Sequence, residues 1–294
     1  MRLLRPLAVL ALVLPCTLTA QTRPVRVFIS VDMEGIGGIG TGAMTSSNGK
    51  DYSTGRELMT AEVNAVVEAI FARGAAQVLV NDSHGDMQNL LHTRLDPRVQ
   101  YIQGAVKPYG MTQGLDSTYD AVVFVGYHAM ARSEDGFLAH TGSGTVQGLW
   151  INGTEVGEGG LNAYLAGSVG VPVVVAAGDS TFTREIRLLL PTVRTVATKL
   201  AVGGQVARLD HPDLVRAKLR DAVTAALADL RSFRPLRPTE PVTVRLRFDT
   251  TTRADIVEVI PGVRRVDGTT IEFSAPTMRQ AYPMVRLMYR YVSW

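Results

Sequence analysis

The stretch RVFISVDMEG, residues 26–35, decides the fold class of this chain. Residues 26–31 form a short run rich in β-branched and aromatic side chains, which is typical of a strand buried on both faces. The run ends at Asp32-Met33-Glu34-Gly35, so two carboxylates follow the strand with one residue between them. Open parallel sheets bind ligands at the carboxyl ends of their strands, and this stretch has the matching order of apolar strand and polar terminus.

The same order recurs further along the chain. Apolar runs at 77–80, 121–125 and 172–176 each end in polar or glycine-containing residues, and a shorter strand is predicted at 148–152. Between them, apolar residues at helical spacing predict the helices 53–73, 87–95, 158–166 and 183–190. Continuous apolar strands that alternate with helices predict an α/β fold, with a mainly parallel sheet covered by helices on both faces. We assign residues 21–205 to this α/β domain.

The sequence pattern changes after about residue 205. A long amphipathic helix is predicted at 211–232, followed by a proline-rich linker and an alternating strand at 242–248. Asp267-Gly268, between two short apolar runs, predicts a β-hairpin, and a closing helix is expected at 278–291. Residues 206–294 are therefore predicted to form a smaller C-terminal α+β domain.

The first twenty residues have the features of a secretory signal peptide. Arg2 and Arg5 precede an apolar stretch at 7–15, and small residues follow to Ala20. We therefore expect an exported protein, periplasmic or secreted, whose mature chain begins near Gln21. The chain has a single cysteine, Cys16, which lies in this leader. Any metal in the mature chain must consequently be held by His, Asp, Glu or backbone oxygen.

Charge and hydropathy exclude two classes of partner. The 30 basic and 27 acidic residues give a net charge of +3, and no basic run with interleaved aromatic residues is present. We therefore expect no nucleic-acid partner. No segment after the leader approaches the roughly 18 uninterrupted apolar residues of a membrane-spanning helix, so no membrane span is expected.

Six polar residues form the candidate site. Three of the five histidines lie in polar or glycine-rich contexts, and three carboxylates lie at strand ends or among glycines; the six are Asp32, Glu34, His84, His128, His140 and Glu158. Two unpaired carboxylates held as close as Asp32 and Glu34 repel each other, and a divalent cation removes that repulsion. Two imidazoles and three carboxylates suit zinc and suffice for two ions if one carboxylate bridges. On the residues alone, a helix cap or a solvated turn remains the alternative for the acidic residues.

Other polar residues carry weaker signals. Asn81 and Asp82 could orient a ligand histidine or simply terminate a strand. Lys107 and Asn162 are candidates for substrate binding, with a loop or helix-surface position as the alternative. Gly142 and Gly144, close to His140, could let backbone N–H groups approach an oxyanion, or could be ordinary loop glycines.

Five segments taken together resemble a known family. They are SVDMEG (30–35), VNDSHGDM (80–87), GYHAMA (126–131), AHTGSG (139–144) and VGEGGLNAY (156–164). In order and spacing they are similar to the DppA-type D-aminopeptidases, the binuclear zinc peptidases of bacteria. The similarity runs from about Val25 to the C terminus.

The resemblance implies a role for each of the six residues. It implies two Zn²⁺ per subunit, with Asp32 as the bridging ligand and Glu34, His84, His128 and Glu158 as the remaining ligands. His140 would be the catalytic histidine. The resemblance also implies a small peptide substrate with an N-terminal D-amino acid, an α/β zinc domain with a smaller C-terminal domain, and a ring-like homo-oligomer.

Two other functions remain open on the sequence. One is a zinc-dependent hydrolase of a non-peptide amide or ester on the same scaffold. The other is an exported metal-binding or ligand-binding protein without catalysis, which needs the five metal donors but not His140. A nucleotide-binding protein is disfavoured, because the glycines at 35–42 match neither of the usual phosphate-binding patterns.

Overall fold

The structure is a computed structural model that describes residues 24–293. The expected leader at 1–20 lies outside these residues. The described strands are β1 (Arg26–Val31), β2 (Gln77–Asp82), β3 (Gln100–Ile102), β4 (Ala121–Tyr127), β5 (Val146–Ile151), β6 (Thr154–Glu155), β7 (Val173–Asp179), β8 (Arg194–Gly203), β9 (Val206–Leu209), β10 (Val242–Phe248), β11 (Arg264–Arg265) and β12 (Thr270–Ala275). The described α-helices are α1 (Tyr52–Ala72), α2 (Glu158–Ser168), α3 (Ser180–Leu189), α4 (Pro212–Ala228), α5 (Thr251–Glu258) and α6 (Met278–Tyr291).

Seven strands form the main sheet in the order β3-β2-β1-β4-β7-β8-β9. The pairs from β3 to β8 are parallel, and β9 adds an antiparallel strand at one edge. The prediction of a mainly parallel sheet is confirmed. Because β1, β2, β4 and β7 run in the same direction, their carboxyl ends meet at one edge of the sheet.

Both faces of this sheet are covered, because successive side chains of each strand point to opposite sides. In β1, Val27, Ile29 and Val31 belong to the core formed with α1 and α4. Phe28 belongs to a second core that includes residues of α2 and α3. The predicted placement of helices on both faces is therefore confirmed. Among the described helices, none combines the length and apolar composition that a bilayer crossing requires.

A second, antiparallel sheet has the order β11-β12-β10-β5-β6 and packs against α5 and α6. Two of its strands come from residues 146–155 and the other three from the C-terminal segment. Helix α2 lies between the two cores, with Leu161 and Leu165 in one and Ala163 and Ala166 in the other. The division of the chain after residue 205 stays a prediction.

The helix predicted at 87–95 is wrong, because this segment is irregular, with bends and one turn at 92–94. The carboxylate of Asp82 accepts hydrogen bonds from the backbone N–H groups of Asn89 (2.6 Å) and Leu90 (2.8 Å), and from the Asn89 side chain. Met87 adopts a φ of 61°, which lies outside the helical region, so a right-handed helix cannot run through this residue. The strands β8 and β9 and the helix α5 were not anticipated from the sequence.

Candidate metal centre

The six candidate residues converge at the carboxyl edge of the main sheet. Five local structures position them: Asp32 and Glu34 follow β1, His84 follows β2, His128 follows β4, His140 lies in the loop before β5, and Glu158 begins α2. Residue Gly35 allows this convergence, because a Cβ there would lie 1.8 Å from the carbonyl oxygen of Tyr127. The chain after β1 can therefore pass directly against the end of β4.

Asp32 and Glu34 both face one nitrogen of His84. The distances from His84 Nδ1 are 3.2 Å to Asp32 Oδ1 and 3.0 Å to Glu34 Oε2. The other ring nitrogen, Nε2, donates to the carbonyl oxygen of Thr45 at 2.8 Å. In the neutral ring this bond places the proton on Nε2, so the lone pair of Nδ1 points at the two carboxylates. The three residues thus present one nitrogen and two oxygen donors to a common point.

His128 presents a second nitrogen to the same cluster. Its Nδ1 donates to the carbonyl oxygen of Ala129 at 2.9 Å, which leaves Nε2 as the unprotonated nitrogen of the neutral ring. Nε2 lies 3.5 Å from Asp32 Oδ2 and 3.7 Å from Glu158 Oε1. This nitrogen is buried and has no hydrogen-bond partner among the described residues. An unsatisfied imidazole nitrogen between two carboxylates is the environment that a bound cation satisfies.

His140 lies at the exposed rim of the cluster. Its ring stacks on that of His128 with centroids 4.1 Å apart, and its Nδ1 donates to the carbonyl oxygen of Leu138 at 2.9 Å. Its Nε2 faces Glu158 Oε1 at 3.6 Å. The His140 side chain is 30% exposed, compared with 1% for His128. It therefore reaches the donor cluster while remaining open to solvent.

The donor atoms fall into two overlapping sets. One ligating atom from each of Asp32, Glu34 and His128 lies within 4.8 Å of the others, and the same holds for His128, His140 and Glu158. Asp32 faces both histidines, His84 with Oδ1 and His128 with Oδ2. Buried imidazole and carboxylate donors in this number suit two divalent cations with a preference for nitrogen and oxygen ligands, which fits zinc.

The pKa values of these groups reflect crowded buried charges. Burial raises the pKa of Asp32 to about 7, with a further increase from the Glu34 carboxylate. Burial alone would raise the pKa of Glu34, but the charge and hydrogen bond of His84 outweigh it and hold that pKa well below its usual range. Burial alone would lower the pKa of His128, but Glu158, Glu34 and Asp32 raise it to about 9. In the metal-free chain, protons therefore neutralise part of the charge that cations would neutralise.

A buried lysine and glutamate hold the loop that carries Glu34. The ammonium of Lys199 donates to the carbonyl oxygens of Glu34 and Ile39, the latter at 2.7 Å. Glu62 Oε2 accepts from the backbone N–H of Gly37 at 2.8 Å. Burial lowers the pKa of Lys199 to about 7 and raises that of Glu62 to about 7. Sequence reasoning missed both residues, because nothing local to positions 62 or 199 connects them to residues 34–39.

Three of the weaker candidates form contacts that stabilise the segments around His84. Asp82 binds the backbone after His84, as described above. Asn81 donates to the carbonyl oxygen of Gly110 at 3.0 Å and accepts from Lys107 Nζ at 2.9 Å. Lys107 also donates to the carbonyl oxygens of Asp82 and Ile102. These groups therefore connect the β2 terminus to the 102–110 segment.

The remaining weak candidates also have partners within the chain. Asn162 binds the hydroxyl groups of Tyr127 (3.0 Å) and Tyr282 (2.6 Å), which links the main sheet to α6. The N–H of Gly142 donates to Glu158 Oε1 at 2.6 Å, so it orients the Glu158 carboxylate. Gly144 has open space around its Cα.

A cleft opens beside the donor cluster. Asp32, His84, His140 and Glu158 line one part of it, and the α6 residues Arg286, Tyr289 and Arg290 line another, together with Met87 and Met111. The α6 residues were not among the site residues predicted from the sequence. A signal was present, because Arg286 lies four residues after Tyr282 and three before Tyr289, on the helix face that is otherwise apolar.

Comparison with known proteins gives consistent matches. Residues 25–287 match the model of peptidase family M55, described as D-aminopeptidase. A D-aminopeptidase of Bacillus subtilis (strain 168) is 36% identical over 264 residues, covering 90% of this chain and 96% of the relative. A solved structure, described as the Zn-dependent D-aminopeptidase DppA from Bacillus subtilis, a self-compartmentalizing protease, superposes with a TM-score of 0.89 at 35% identity. The match covers 90% of this chain and 97% of that one.

Proposed function

Because the chain belongs to the D-aminopeptidase family, we propose that it is a zinc-dependent aminopeptidase that hydrolyses short peptides with an N-terminal D-amino acid. The observation that carries the proposal is the buried, unpartnered Nε2 of His128, which lies between the carboxylates of Asp32 and Glu158. A chain without a metal at this position would bury that nitrogen at a cost and without a partner.

We propose a ligand assignment for two ions in which His140 is not a ligand, although it also lies within reach of His128 and Glu158. Asp32 would bridge the two ions, because its two oxygens face different histidines. Glu34 and His84 would complete one set of donors, and His128 and Glu158 would complete the other. The contacts of His84 with Thr45 O and of His128 with Ala129 O hold the two rings in ligating tautomers, and such partners sustain metal affinity.

Peptide-bond hydrolysis at this site would depend on the bound zinc ions and on the residues around them. Zinc supplies Lewis-acid polarisation of the scissile carbonyl and activation of water near neutral pH. His140 transfers protons at the reacting atoms, because its Nε2 faces the cluster from the solvent-accessible rim and its Nδ1 is fixed by Leu138 O. Gly142 keeps Glu158 in place through its backbone N–H.

The experiment that tests the function compares stereoisomers. Purified protein loaded with zinc should hydrolyse D-Ala-D-Ala and leave L-Ala-L-Ala largely intact, and N-acetylation of the D-dipeptide should abolish turnover if the free amine is recognised. A protein that binds two zinc ions and hydrolyses none of these peptides would support the non-catalytic alternative. Equal rates on acetylated and free dipeptide would instead indicate a general amide hydrolase.

We also propose that the chain forms a homo-oligomer, with a ring as the assembly. The related solved structure is described as self-compartmentalizing. In this chain the edge strand β9 and its neighbour β8 expose Val202 (63%), Val206 (58%) and Leu209 (40%), an apolar group that association would cover. Light scattering after size-exclusion chromatography should give a mass several times that of one chain, and a monomer at micromolar concentration would contradict the proposal.

Export is proposed on the sequence of the first twenty residues. The Arg2 and Arg5 start, the short apolar core and the small residues before Gln21 support cleavage near that position and a periplasmic or secreted location. The intact mass of material recovered from the native host tests this. A mass that still includes residues 1–20, together with cytosolic recovery, would overturn the proposal.

A further inference from the structure

Arg286 is a buried cation that pairs with no carboxylate of residues 24–293 at ion-pair distance, although the charge of Glu158 favours its protonated form and raises its pKa. Its side chain lies in the cleft beside the donor cluster, yet the residue is only 7% exposed. Among the described residues its hydrogen bonding is limited to the hydroxyl of Tyr289, and its Nε is buried with no partner. No carboxylate of the described chain forms an ion pair with it. Buried arginines are normally paired with an anion, so the Arg286 side chain has the charge and the free donors to bind one from outside the chain.

The chain also makes room for this guanidinium. Gly110 lies directly against it: a Cβ at that position would be 2.5 Å from Nε and 2.6 Å from Cζ of Arg286. Gly110 has a φ of 44°, a conformation that side-chain-bearing residues rarely adopt. The segment is held there by the bond from Asn81 to the Gly110 carbonyl oxygen. The guanidinium position is therefore fixed by the α6 helix on one side and by the 110 segment on the other.

The class of anion follows from the cleft that Arg286 shares with the donor cluster and from the chemistry of a short peptide. The donor cluster and Arg286 line the same cleft. In a dipeptide, the C-terminal carboxylate is separated from the scissile carbonyl carbon by one N–Cα unit, a reach of roughly 4–5 Å. A carboxylate matches the planar fork of a guanidinium, which gives strong, charge-assisted hydrogen bonds. In a longer peptide or a C-terminal amide, this position would be occupied by an uncharged group.

We propose that Arg286 binds the α-carboxylate of a dipeptide substrate and so makes the enzyme selective for D-aminoacyl dipeptides with a free C terminus. This inference rests on the proposed function, since it assigns the second end of the same substrate. The alternative role for Arg286 is to balance the charge of Glu158. That role is not needed once two divalent cations face the three carboxylates of the cluster, because the cations then exceed the carboxylates in charge.

The test compares D-Ala-D-Ala with its C-terminal carboxamide on the zinc-loaded protein. The wild-type kcat/KM should favour the free acid by about 10- to 100-fold, the effect of a charge-assisted hydrogen-bonded pair. Arg286→Gln should lower kcat/KM for the free acid by a similar factor and change that for the amide by less than about 3-fold. Arg286→Lys keeps the positive charge but not the planar guanidinium, so its kcat/KM for the free acid should lie between those of the wild type and Arg286→Gln. Arg279→Gln, on the same helix but stacked on Tyr109 outside the cleft, is the matched control.

A binding measurement separates recognition of the carboxylate by Arg286 from any effect of Arg286 on turnover. Calorimetric titration with the reduced-bond analogue of D-Ala-D-Ala, in which CH2–NH replaces the amide, should show the same preference for the free acid over the carboxamide. That preference should be lost in Arg286→Gln. Zinc content and melting temperature measured on each variant identify a variant that fails to fold, and the wild-type preference remains informative in that case.

The outcomes distinguish the inference from the function on which it rests. If the wild type hydrolyses acid and amide equally, the Arg286 inference is wrong while the D-aminopeptidase function stands. If Arg286→Gln lowers both activities to the same extent, Arg286 acts on the site as a whole and does not read the carboxylate. If the wild type hydrolyses neither D-substrate, the proposed function itself fails.

Discussion

Replacement of His140 by alanine is the perturbation that separates a catalytic histidine from a sixth metal ligand. The five other donors stay in place, and Glu158 keeps its bond from the Gly142 N–H. We therefore expect His140→Ala to retain near-normal zinc content. The kcat should fall by about 10²- to 10⁴-fold, which corresponds to roughly 3–5 kcal/mol of transition-state stabilisation.

The effect of this substitution on folding should be small by comparison. The variant loses the hydrogen bond from His140 Nδ1 to Leu138 O and the stacking of the His140 ring on His128. The His140 side chain is 30% exposed, so little burial is lost. Together these contacts amount to about 1–2 kcal/mol in the free energy of unfolding. A large fall in kcat with a small change in stability therefore indicates a role in the chemical step.

The assay measures single-turnover kinetics and metal content on the same preparation, with His92→Ala as the control, because His92 is exposed and outside the site. Added imidazole should restore part of the activity if the missing group transfers protons. Full zinc with full activity would remove His140 from the mechanism. Loss of one zinc per chain would make it a ligand and refute the reasoning above.

Three further outcomes are expected. Asp32→Asn should reduce bound zinc from two per chain to less than one, because the two oxygens of Asp32 face both proposed ion positions. Asp86→Asn, exposed in the same region, should keep both ions, and elemental analysis measures the zinc content of each variant. Lys199→Met should lower the free energy of unfolding by about 1–3 kcal/mol, because two loop carbonyl oxygens lose their donor, and it should also weaken zinc binding. Thermal melts and chelator competition measure the two effects, and the exposed Lys218→Met should change neither quantity. Zinc should displace protons near neutral pH, because the pKa of Asp32 is raised to about 7 and that of His128 to about 9. The affinity for zinc should therefore increase as pH rises towards about 9, and a chelator-competition titration with no pH dependence would contradict this.

The sequence predicted the parts of the fold that depend on local patterns. The strands β1, β2, β4 and β7 are uninterrupted apolar runs that end in polar residues, and both features can be seen within about ten residues. Their common direction brings their ends together, so Asp32, His84 and His128 could be expected at one edge before any coordinates were known.

The sequence could not predict features that depend on distant partners. The irregular backbone at 87–95 has Met87 at a φ of 61° and is held to the Asp82 carboxylate, and helical periodicity reveals neither feature. Lys199 contacts the loop after β1 across more than 150 residues of sequence. Arg286 is a single cation on an apolar helix face, and its significance appears only when Gly110 and the donor cluster are placed around it.

The central claim is that Asp32 bridges two zinc ions within this donor cluster. The most direct test is anomalous diffraction at the zinc absorption edge, from crystals of the zinc-loaded protein. We expect two anomalous peaks, one among Asp32, Glu34 and His84 and the other among Asp32, His128 and Glu158. A single peak, or two peaks of which one lies away from Asp32, would contradict the claim.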